Sequence, residues 1–313
     1  MNPTSHPPPG SEPVPLPAPD PATVEQLIHY GTLLFEQSDL WFGHGTDNAF
    51  DEAAELVFFG AGLRHEDAED VYSQQLGAAE RAAILALFER RVAERIPAAY
   101  LTHRMWFAGH EFYVDERVLV PRSPIAELIE AQFQPWIAPG KLRRILDIGT
   151  GSGCIAIASA LAVPAARVDA TDISEAALAV TAINIYKHAV QSRVRAIRSD
   201  VFAALAGQRY DVIVSNPPYV GDAEMADLPP EYRHEPENGL HSGVDGLDVV
   251  RRILKGAAAH LEPHGVLIVE VGNSETALAD AFAQVPFTWL AFERGGGGVF
   301  LLTAEQLESV NVR

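Results

Sequence analysis

The sequence predicts an α/β fold class, in which a mostly parallel, doubly wound, seven-stranded sheet follows a small all-helical domain. After Lys141, apolar segments of strand length alternate with helical segments, which is typical of a parallel sheet covered by helices on both faces. Between about Thr23 and Ala99, apolar residues recur at helical spacing instead. Near the C-terminus, four consecutive glycines separate two β-forming segments, which indicates a closing antiparallel hairpin.

The N-terminal third is predicted to contain a tail and a helical domain. Residues 1–22 are dense in proline and lack apolar periodicity, so we predict a disordered, partly polyproline-II tail. Residues 23–104 are predicted to form the helical domain. Its amphipathic segments start near Val24, Phe50 and Ala78. Asp47 or Asn48 is the expected N-cap of the second segment.

The remaining chain is predicted to contain a linking β-hairpin at residues 105–122 and the α/β domain at residues 123–313. The predicted strands are Arg144–Ile148, Arg167–Asp172, Val194–Ser199, Tyr210–Ser215, Val266–Val271, Phe287–Phe292 and Val299–Thr303. The predicted helices between them are Cys154–Ala162, Ser174–His188 and Leu247–Leu261.

Composition narrows the class of protein and of partner. The net charge is −19, which disfavours binding to duplex DNA, because phosphate contacts require clustered basic residues, and is compatible with a basic protein partner. No apolar run approaches the roughly 20 residues of a membrane-spanning helix, and the N-terminus shows no signal pattern, so we expect a cytoplasmic protein. The single cysteine, Cys154, and the scattered histidines predict no metal site.

The most informative motif is Asn216-Pro217-Pro218-Tyr219, which directly follows a predicted buried strand. Proline has no backbone N–H, so this turn presents carbonyl oxygens beside the side-chain oxygen of Asn216. Two acceptors at a rigid corner suit a planar –NH2 group, whose two hydrogens they bind while the nitrogen lone pair stays available for attack. An exocyclic base amine and a side-chain amide both fit this description.

A second motif is a glycine turn between a predicted strand and a predicted helix. It has the spacing G-x-G-x-G, with Cys154 where a dinucleotide fingerprint requires its third glycine. The preceding carboxylate, Asp147, would repel a pyrophosphate and suits a cationic ammonium group. The predicted cofactor contacts in this turn are Asp147, Gly149, Thr150, Gly151, Ser152 and Gly153.

Two further strands end in carboxylates that complete the predicted cofactor site. Asp172 follows the second strand and is expected to accept both hydroxyls of a ribose, next to Ile173. Asp200 follows the third strand and is expected to accept the amine of an adenine, next to Val201. Ligands bind at this carboxyl edge in open α/β sheets. Together with the glycine turn, these residues predict S-adenosylmethionine rather than a nicotinamide cofactor.

From Ile145 to Val220 the chain resembles the Rossmann-like S-adenosylmethionine-dependent methyltransferases. Further segments resemble the protein-glutamine N5-methyltransferases: Arg95–Leu101, Phe107–Phe112 and Val118–Arg122. Leu40–Asn48 and Glu231–Glu237 are similar to the branch that methylates the third protein of the large ribosomal subunit. The resemblance implies glutamine N5-methylation of that protein, with a helical domain that helps to recognise the substrate.

The resemblance also implies roles for individual residues. Asn216, Pro217 and Tyr219 are expected to be catalytic: Asn216 and Pro217 hold the substrate amide, and Tyr219 packs on the flat amide and excludes water. Pro218 is expected to contact the substrate as well, and Asn216 also the cofactor. Arg122 and Glu235 are expected near the substrate, where a salt bridge that braces the loop is an equal alternative.

Release-factor relatives place a tryptophan beside the adenine where this chain has Val201. We therefore expect Phe202 or Ile173 to cover the base.

Several functions stay open at this point. Glutamine methylation of a peptide release factor is the alternative within the enzyme class. An adenine-N6 nucleic-acid methyltransferase shares the acceptor turn, although the acidic composition disfavours it. A non-catalytic ribosome assembly factor is disfavoured by the intact glycine turn, Asp172 and Asn216. The sequence predicts no oligomeric state.

Overall fold

The computed structural model describes residues 17–64 and 71–309. The chain divides into two compact units, Met1–Thr102 and His103–Arg313. The predicted proline-rich tail lies mostly outside the described residues. The predicted hairpin belongs to the second unit.

The first unit is helical, as the apolar spacing predicts. Its described helices are α1 (Val24–Gln37), α2 (Ala49–Gly60), α3 (Ala78–Glu94) and α4 (Ala98–Thr102). Asn48 is the N-cap of α2, because its side chain accepts a hydrogen bond of 2.9 Å from the backbone N–H of Asp51. The core contains Leu27, Phe35, Leu56 and Phe88, all fully buried or nearly so. The five residues of α4 are too few to show a period in the sequence.

The second unit begins with an antiparallel hairpin of β1 (Arg104–Phe107) and β2 (His110–Tyr113). Ala108 and Gly109 connect the strands with φ angles of 47° and 76°, as a tight two-residue turn requires. The hairpin therefore ends at Tyr113, earlier than the sequence predicts. Residues 114–124 contain no strand or helix.

The central sheet of the second unit has the strand order β5-β4-β3-β6-β7-β9-β8. Its strands are β3 (Arg144–Ile148), β4 (Arg167–Asp172), β5 (Val194–Arg198), β6 (Tyr210–Ser215), β7 (Leu261–Glu270), β8 (Thr288–Trp289) and β9 (Val299–Thr303). Among these strands every pairing is parallel except the two made by β9. The predicted sheet is confirmed, although β7 starts earlier than predicted and β8 is much shorter.

Helices cover both faces of this sheet. They are α5 (Ile125–Glu130), α6 (Cys154–Ala162), α7 (Glu175–Lys187), α8 (Asp222–Asp227), α9 (Glu237–Leu240), α10 (Asp248–His260), α11 (Glu275–Ala281) and α12 (Ala304–Ser309). One apolar core lies between the sheet and α5, α6 and α7. A second core lies between the sheet and α10, α11 and α12. The fold is therefore the Rossmann-like, doubly wound α/β class that the sequence predicts.

The described helices offer no candidate membrane span, because none is both long enough and apolar enough. Within residues 17–64 and 71–309, no group of three or more histidine, cysteine, aspartate or glutamate side chains is arranged to hold a metal ion.

Candidate active site

The candidate site lies where the strand order of the sheet reverses. From β3 the chain proceeds to β4 and β5 on one side, and then returns to β6 and β7 on the other. This reversal opens a crevice at the carboxyl ends of β3 and β6. A cleft at that edge is lined by residues 117–123, 148–152, 154–155, 172–174, 177, 199–201, 216–220, 236, 238–240, 249 and 252.

The glycine turn after β3 approaches the acceptor turn after β6. Gly149, Gly151 and Gly153 have φ angles of 71°, 56° and 83°, a region that side chains other than glycine disfavour. A Cβ atom on Gly149 would lie 3.9 Å from the carbonyl oxygen of Asn216 and from Cα of Pro217. Two motifs about 65 residues apart in sequence therefore form one wall of the cleft. Gly153 itself lies beneath the turn and does not line the cleft.

Asp147 lies under the glycine turn, almost fully buried, rather than in the cleft wall. Its Oδ2 accepts hydrogen bonds from the Thr150 hydroxyl at 2.6 Å and from the Ala156 N–H at 3.1 Å. Its Oδ1 is buried and has no hydrogen-bond partner among the described residues. Burial raises the pKa of Asp147 to about 7, and the nearby charge of Asp172 contributes to the rise. The predicted contact of Asp147 with an ammonium group stays a prediction.

Asp172 lies in the cleft at the end of β4, as predicted. Its Oδ2 accepts the Gly151 N–H at 3.0 Å and its Oδ1 accepts the Ser174 N–H at 2.9 Å, so the carboxylate also fixes the glycine turn. Burial raises the pKa of Asp172. The adjacent Ile173 side chain is 55% exposed in the cleft and offers an apolar surface to a ligand.

Asp200 also lines the cleft, but its carboxylate is already paired. The guanidinium of Arg252 on α10 lies 2.6 Å from Oδ2 of Asp200, and both side chains are about half exposed. Arg252 and Val249, one helical turn apart, also line the cleft. Sequence reasoning missed both, because nothing in the sequence of α10 places it at this edge.

Phe202 does not line the cleft, which corrects one of the two expectations for covering an adenine. Val201 has a φ angle of 52°, and the chain turns there so that Phe202 stacks on His260 at 4.5 Å between ring centroids. The Phe202 ring packs directly against Gly256, where only glycine fits, because a Cβ atom at that position would lie 2.4 Å from the ring. Ile173 and Val201 remain as apolar cleft residues beside Asp200.

Two serine hydroxyl groups fix the backbone at the two ends of the acceptor turn. Ser215, the last residue of β6, donates its hydroxyl hydrogen to the carbonyl of Ile148 at 2.7 Å and so joins β6 to β3. The Ser274 hydroxyl donates to the carbonyl of Tyr219 at 2.8 Å. Asn216, Pro217, Pro218 and Tyr219 all line the cleft, and their predicted contacts with the substrate stay predictions.

Arg122 and Glu235 form a bidentate salt bridge, with both N–O distances at 2.6 Å. Glu235 also accepts the Val120 N–H at 2.9 Å, and its side chain is fully buried. Arg122 lines the cleft, whereas Glu235 does not. Glu235 therefore braces the loop after the acceptor turn in this structure, and its predicted contact with the substrate is replaced by the contact with Arg122.

Comparisons with known proteins agree with this geometry. Residues 131–228 match the family model described as methyltransferase small domain. A ribosomal protein uL3 glutamine methyltransferase of Xylella fastidiosa strain Temecula1 is 51% identical over 286 residues, which cover 91% of each chain. The protein of the same name from Burkholderia pseudomallei is 46% identical over 296 residues, or 92% of this chain and 96% of that one.

The chain belongs to the ribosomal protein uL3 glutamine methyltransferase family. The family resemblance read from the sequence is thereby confirmed. Among solved structures, human methyltransferase 10 domain containing protein is 18% identical with a TM-score of 0.47, covering 63% of this chain and 89% of its own. Ribosomal protein L11 methylase from Lactobacillus delbrueckii subsp. bulgaricus is 19% identical with a TM-score of 0.39, covering 58% of this chain and 78% of its own.

In this member of the uL3 glutamine methyltransferase family, one buried carboxylate beside the acceptor turn was not predicted. Glu270 ends β7, and its Oε2 accepts the Ser123 hydroxyl at 2.5 Å. Its Oε1 lies 3.5 Å from the Tyr219 hydroxyl. The rule that found Asp147, Asp172 and Asp200, a carboxylate at the end of a buried strand, would also have found Glu270.

Proposed function

We propose that this protein transfers a methyl group from S-adenosylmethionine to the side-chain nitrogen N5 of a glutamine in ribosomal protein uL3. The observation that carries the proposal is the approach of the glycine turn after β3 to the Asn-Pro-Pro-Tyr turn after β6. The turn that would bind the cofactor and the turn that would bind the substrate amide then lie in the same cleft. The names of the relatives support the choice of substrate.

The residues around the glycine turn fit S-adenosylmethionine. The positive φ angles of Gly149 and Gly151 let the backbone approach a ligand closely, and no side chain fills the space over Gly151. Asp172 retains lone pairs for ribose hydroxyls beyond the two backbone hydrogen bonds that it accepts. The buried Oδ1 of Asp147 has no partner in the described protein, which supports a cationic group nearby. When bound, the cofactor supplies a methyl group already activated on a sulfonium.

The acceptor turn fits a carboxamide. Asn216 Oδ1 and the Pro217 carbonyl accept hydrogen bonds from the two N–H groups of the substrate amide. These hydrogen bonds hold the amide nitrogen in place and stabilise the positive charge that develops on it. Tyr219 packs over the flat amide and excludes water. Positioning is the main task of these residues, because an amide nitrogen is a poor nucleophile whose lone pair is delocalised into its carbonyl.

The acidic composition supports a basic protein as the substrate. With a net charge of −19, the protein attracts a positively charged partner at long range and repels nucleic acid. A ribosomal protein that carries a basic surface fits this requirement. Nothing in the cleft favours an adenine acceptor over a carboxamide.

The decisive experiment measures the transfer of labelled methyl from S-adenosylmethionine to three acceptors: uL3 from cells that lack the modification, free release factor, and duplex DNA. We expect label in uL3, and mass spectrometry of the labelled peptide identifies the glutamine. Label found only in the release factor or in DNA would refute the proposed substrate. The absence of transfer to all three, with S-adenosylhomocysteine still bound, would refute catalysis.

A further inference from the structure

Glu270 occupies a position next to the acceptor turn that follows from strand register. β6 and β7 are parallel, and Ser215 pairs with Val269. Asn216 directly follows β6 and Glu270 is the last residue of β7, so the two lie side by side at the carboxyl edge of the sheet. Glu270 therefore reaches the acceptor turn from the neighbouring strand.

The surroundings of Glu270 do not neutralise its charge with an ion pair. The residue is 5% exposed, and within the described residues it takes part in no salt bridge. Arg122, whose charge acts on Glu270, directs its guanidinium to Glu235 instead. The contacts of the carboxylate are two hydroxyls, those of Ser123 at 2.5 Å and Tyr219 at 3.5 Å.

A buried carboxylate in these surroundings lowers stability, because desolvation opposes its charge. Burial raises the pKa of Glu270 to about 7, although Ser123, Arg122 and Tyr219 oppose the rise. An apolar residue of similar size would fold at lower free-energy cost. Glu270 does not itself line the cleft, but both of its hydroxyl partners, Ser123 and Tyr219, do, and perturbed acids are typical of functional sites.

Tyr219 is held in a close-fitting niche, so its hydroxyl has a defined direction. A Cβ atom on Gly272 would lie 2.6 Å from the Tyr219 ring, and one on Gly246 would lie 2.1 Å from the Tyr219 carbonyl oxygen. Both positions therefore require glycine. The Tyr219 hydroxyl points to Glu270, and burial and the charge of Glu270 raise its pKa, so the phenol stays protonated and donates.

We propose that Glu270 is a positioning residue for methyl transfer, whose carboxylate accepts the hydroxyls of Tyr219 and Ser123 and thereby fixes the aromatic ring over the amide that Asn216 binds. The proposal rests on the proposed function, since it assigns the Tyr219 ring to the substrate amide. Ser123 follows the cleft residue Arg122, so the same carboxylate also ties residues 117–123 of the cleft wall to the central sheet.

This role makes the site sensitive to pH. The ionised carboxylate accepts both hydroxyls, whereas the protonated acid turns one of its oxygens into a donor, so that one of the two contacts is reversed or lost. The titratable and charged groups that act on this pair are Arg122, Tyr232 and Glu224, and the raised pKa keeps the Tyr219 phenol protonated. We therefore expect kcat to increase as pH rises through about 7.

The test compares wild type with Glu270→Gln, using Glu262→Gln near the opposite end of the same strand as the matched control. We expect kcat of Glu270→Gln to be lower by about 10²-fold with the increase near pH 7 absent, since misplaced reacting groups lose about that factor. The affinity for S-adenosylhomocysteine, measured by calorimetry, should stay within about twofold. A wild-type kcat with an unchanged pH profile would overturn the proposal, and so would loss of S-adenosylhomocysteine binding.

Tyr219→Phe provides a second test that does not depend on how Glu270→Gln folds. It removes the hydroxyl that faces Glu270 and keeps the ring, so we expect a similar loss of kcat and of the pH dependence. The double variant should lose no more than either single variant, because the two residues act as a unit. Additive losses would refute the coupling. Wild-type turnover with uL3 is measured first, so failure of the proposed function is recognised separately from failure of this inference.

Discussion

Glu235 accepts hydrogen bonds from both terminal nitrogens of the Arg122 guanidinium, and the two residues are 113 positions apart in the sequence. Arg122 belongs to the cleft wall formed by residues 117–123, and Glu235 belongs to the loop that follows the acceptor turn. The guanidinium also lies 5.4 Å from the centroid of the Tyr232 ring. This pair therefore joins residues 117–123 of the cleft wall to the loop that follows the acceptor turn.

We predict that Glu235→Gln lowers the free energy of unfolding by about 1–3 kcal/mol, because the variant leaves a partly buried guanidinium without its counter-charge. Chemical denaturation measures the change. Asp245→Asn is the control, since it removes an exposed bidentate pair with Arg251 and should lower stability by less than about 1 kcal/mol. Equal effects of the two substitutions would contradict a buried, bracing role for Glu235.

Asn216→Ala should abolish most methyl transfer while the cofactor still binds. The variant removes one of the two acceptors for the amide, and loss of a single group that stabilises developing charge typically lowers kcat by about 10²–10³-fold. Single-turnover kinetics with uL3 and calorimetry with S-adenosylhomocysteine separate the two effects. Turnover at the wild-type rate would show that the Asn216 side chain does not hold the amide.

Gly153→Ala should destabilise the fold more than Gly207→Ala. Both glycines have positive φ angles, 83° and 73°, so both substitutions introduce backbone strain of about 1–2 kcal/mol. At Gly153 the new Cβ atom would also lie 2.9 Å from Cγ2 of Thr181, whereas nothing lies within 4 Å at Gly207. The difference between the two melting curves isolates the steric contribution. Identical melting curves would mean that α7 shifts away from the new Cβ atom without loss of stability.

Asp147 should make the stability of the wild-type protein depend on pH. Burial raises the pKa of Asp147 to about 7 in the folded state, above its ordinary value of 3.8. The unfolded chain therefore binds fewer protons between these values, so stability decreases as pH rises from about 4 to about 7. Asp147→Asn should show a shallower decrease in denaturation experiments over this range. A parallel pH dependence in both proteins would show that Asp147 ionises normally.

The sequence predicted the backbone of the site better than the direction of its side chains. The glycine turn, Asp172 and Asn216-Pro217-Pro218-Tyr219 follow from local patterns at strand ends, and parallel strands bring such ends together. The stacking of Phe202 on His260 depends on the positive φ angle of Val201 and on the space above Gly256. These are tertiary facts, and no local pattern encodes them.

The partners of three charged residues were also beyond a local interpretation of the sequence. Arg252 on α10 forms a salt bridge with Asp200, and Glu235 forms one with Arg122, which is distant from it in sequence. Glu270 was overlooked because the predicted strand runs one residue beyond it, to Val271, so Glu270 was not placed at a strand end. Pairing between distant segments is decided by how the helices and loops pack on the sheet, which periodicity does not specify.

The hydrogen bond from Ser215 to the Ile148 carbonyl has a consequence for how new specificities arise in this fold. It ties together the two central strands that carry the cradle and the acceptor, so the spacing of the reacting atoms is set once, when the chain folds. The segment 117–123 is held by the side chains of Glu235 and Glu270, and the segment 236–240 by a backbone hydrogen bond from the Val220 N–H to the Leu240 carbonyl at 2.8 Å. Mutation is therefore free to remodel those segments for another target polypeptide while the chemistry at the corner is left intact.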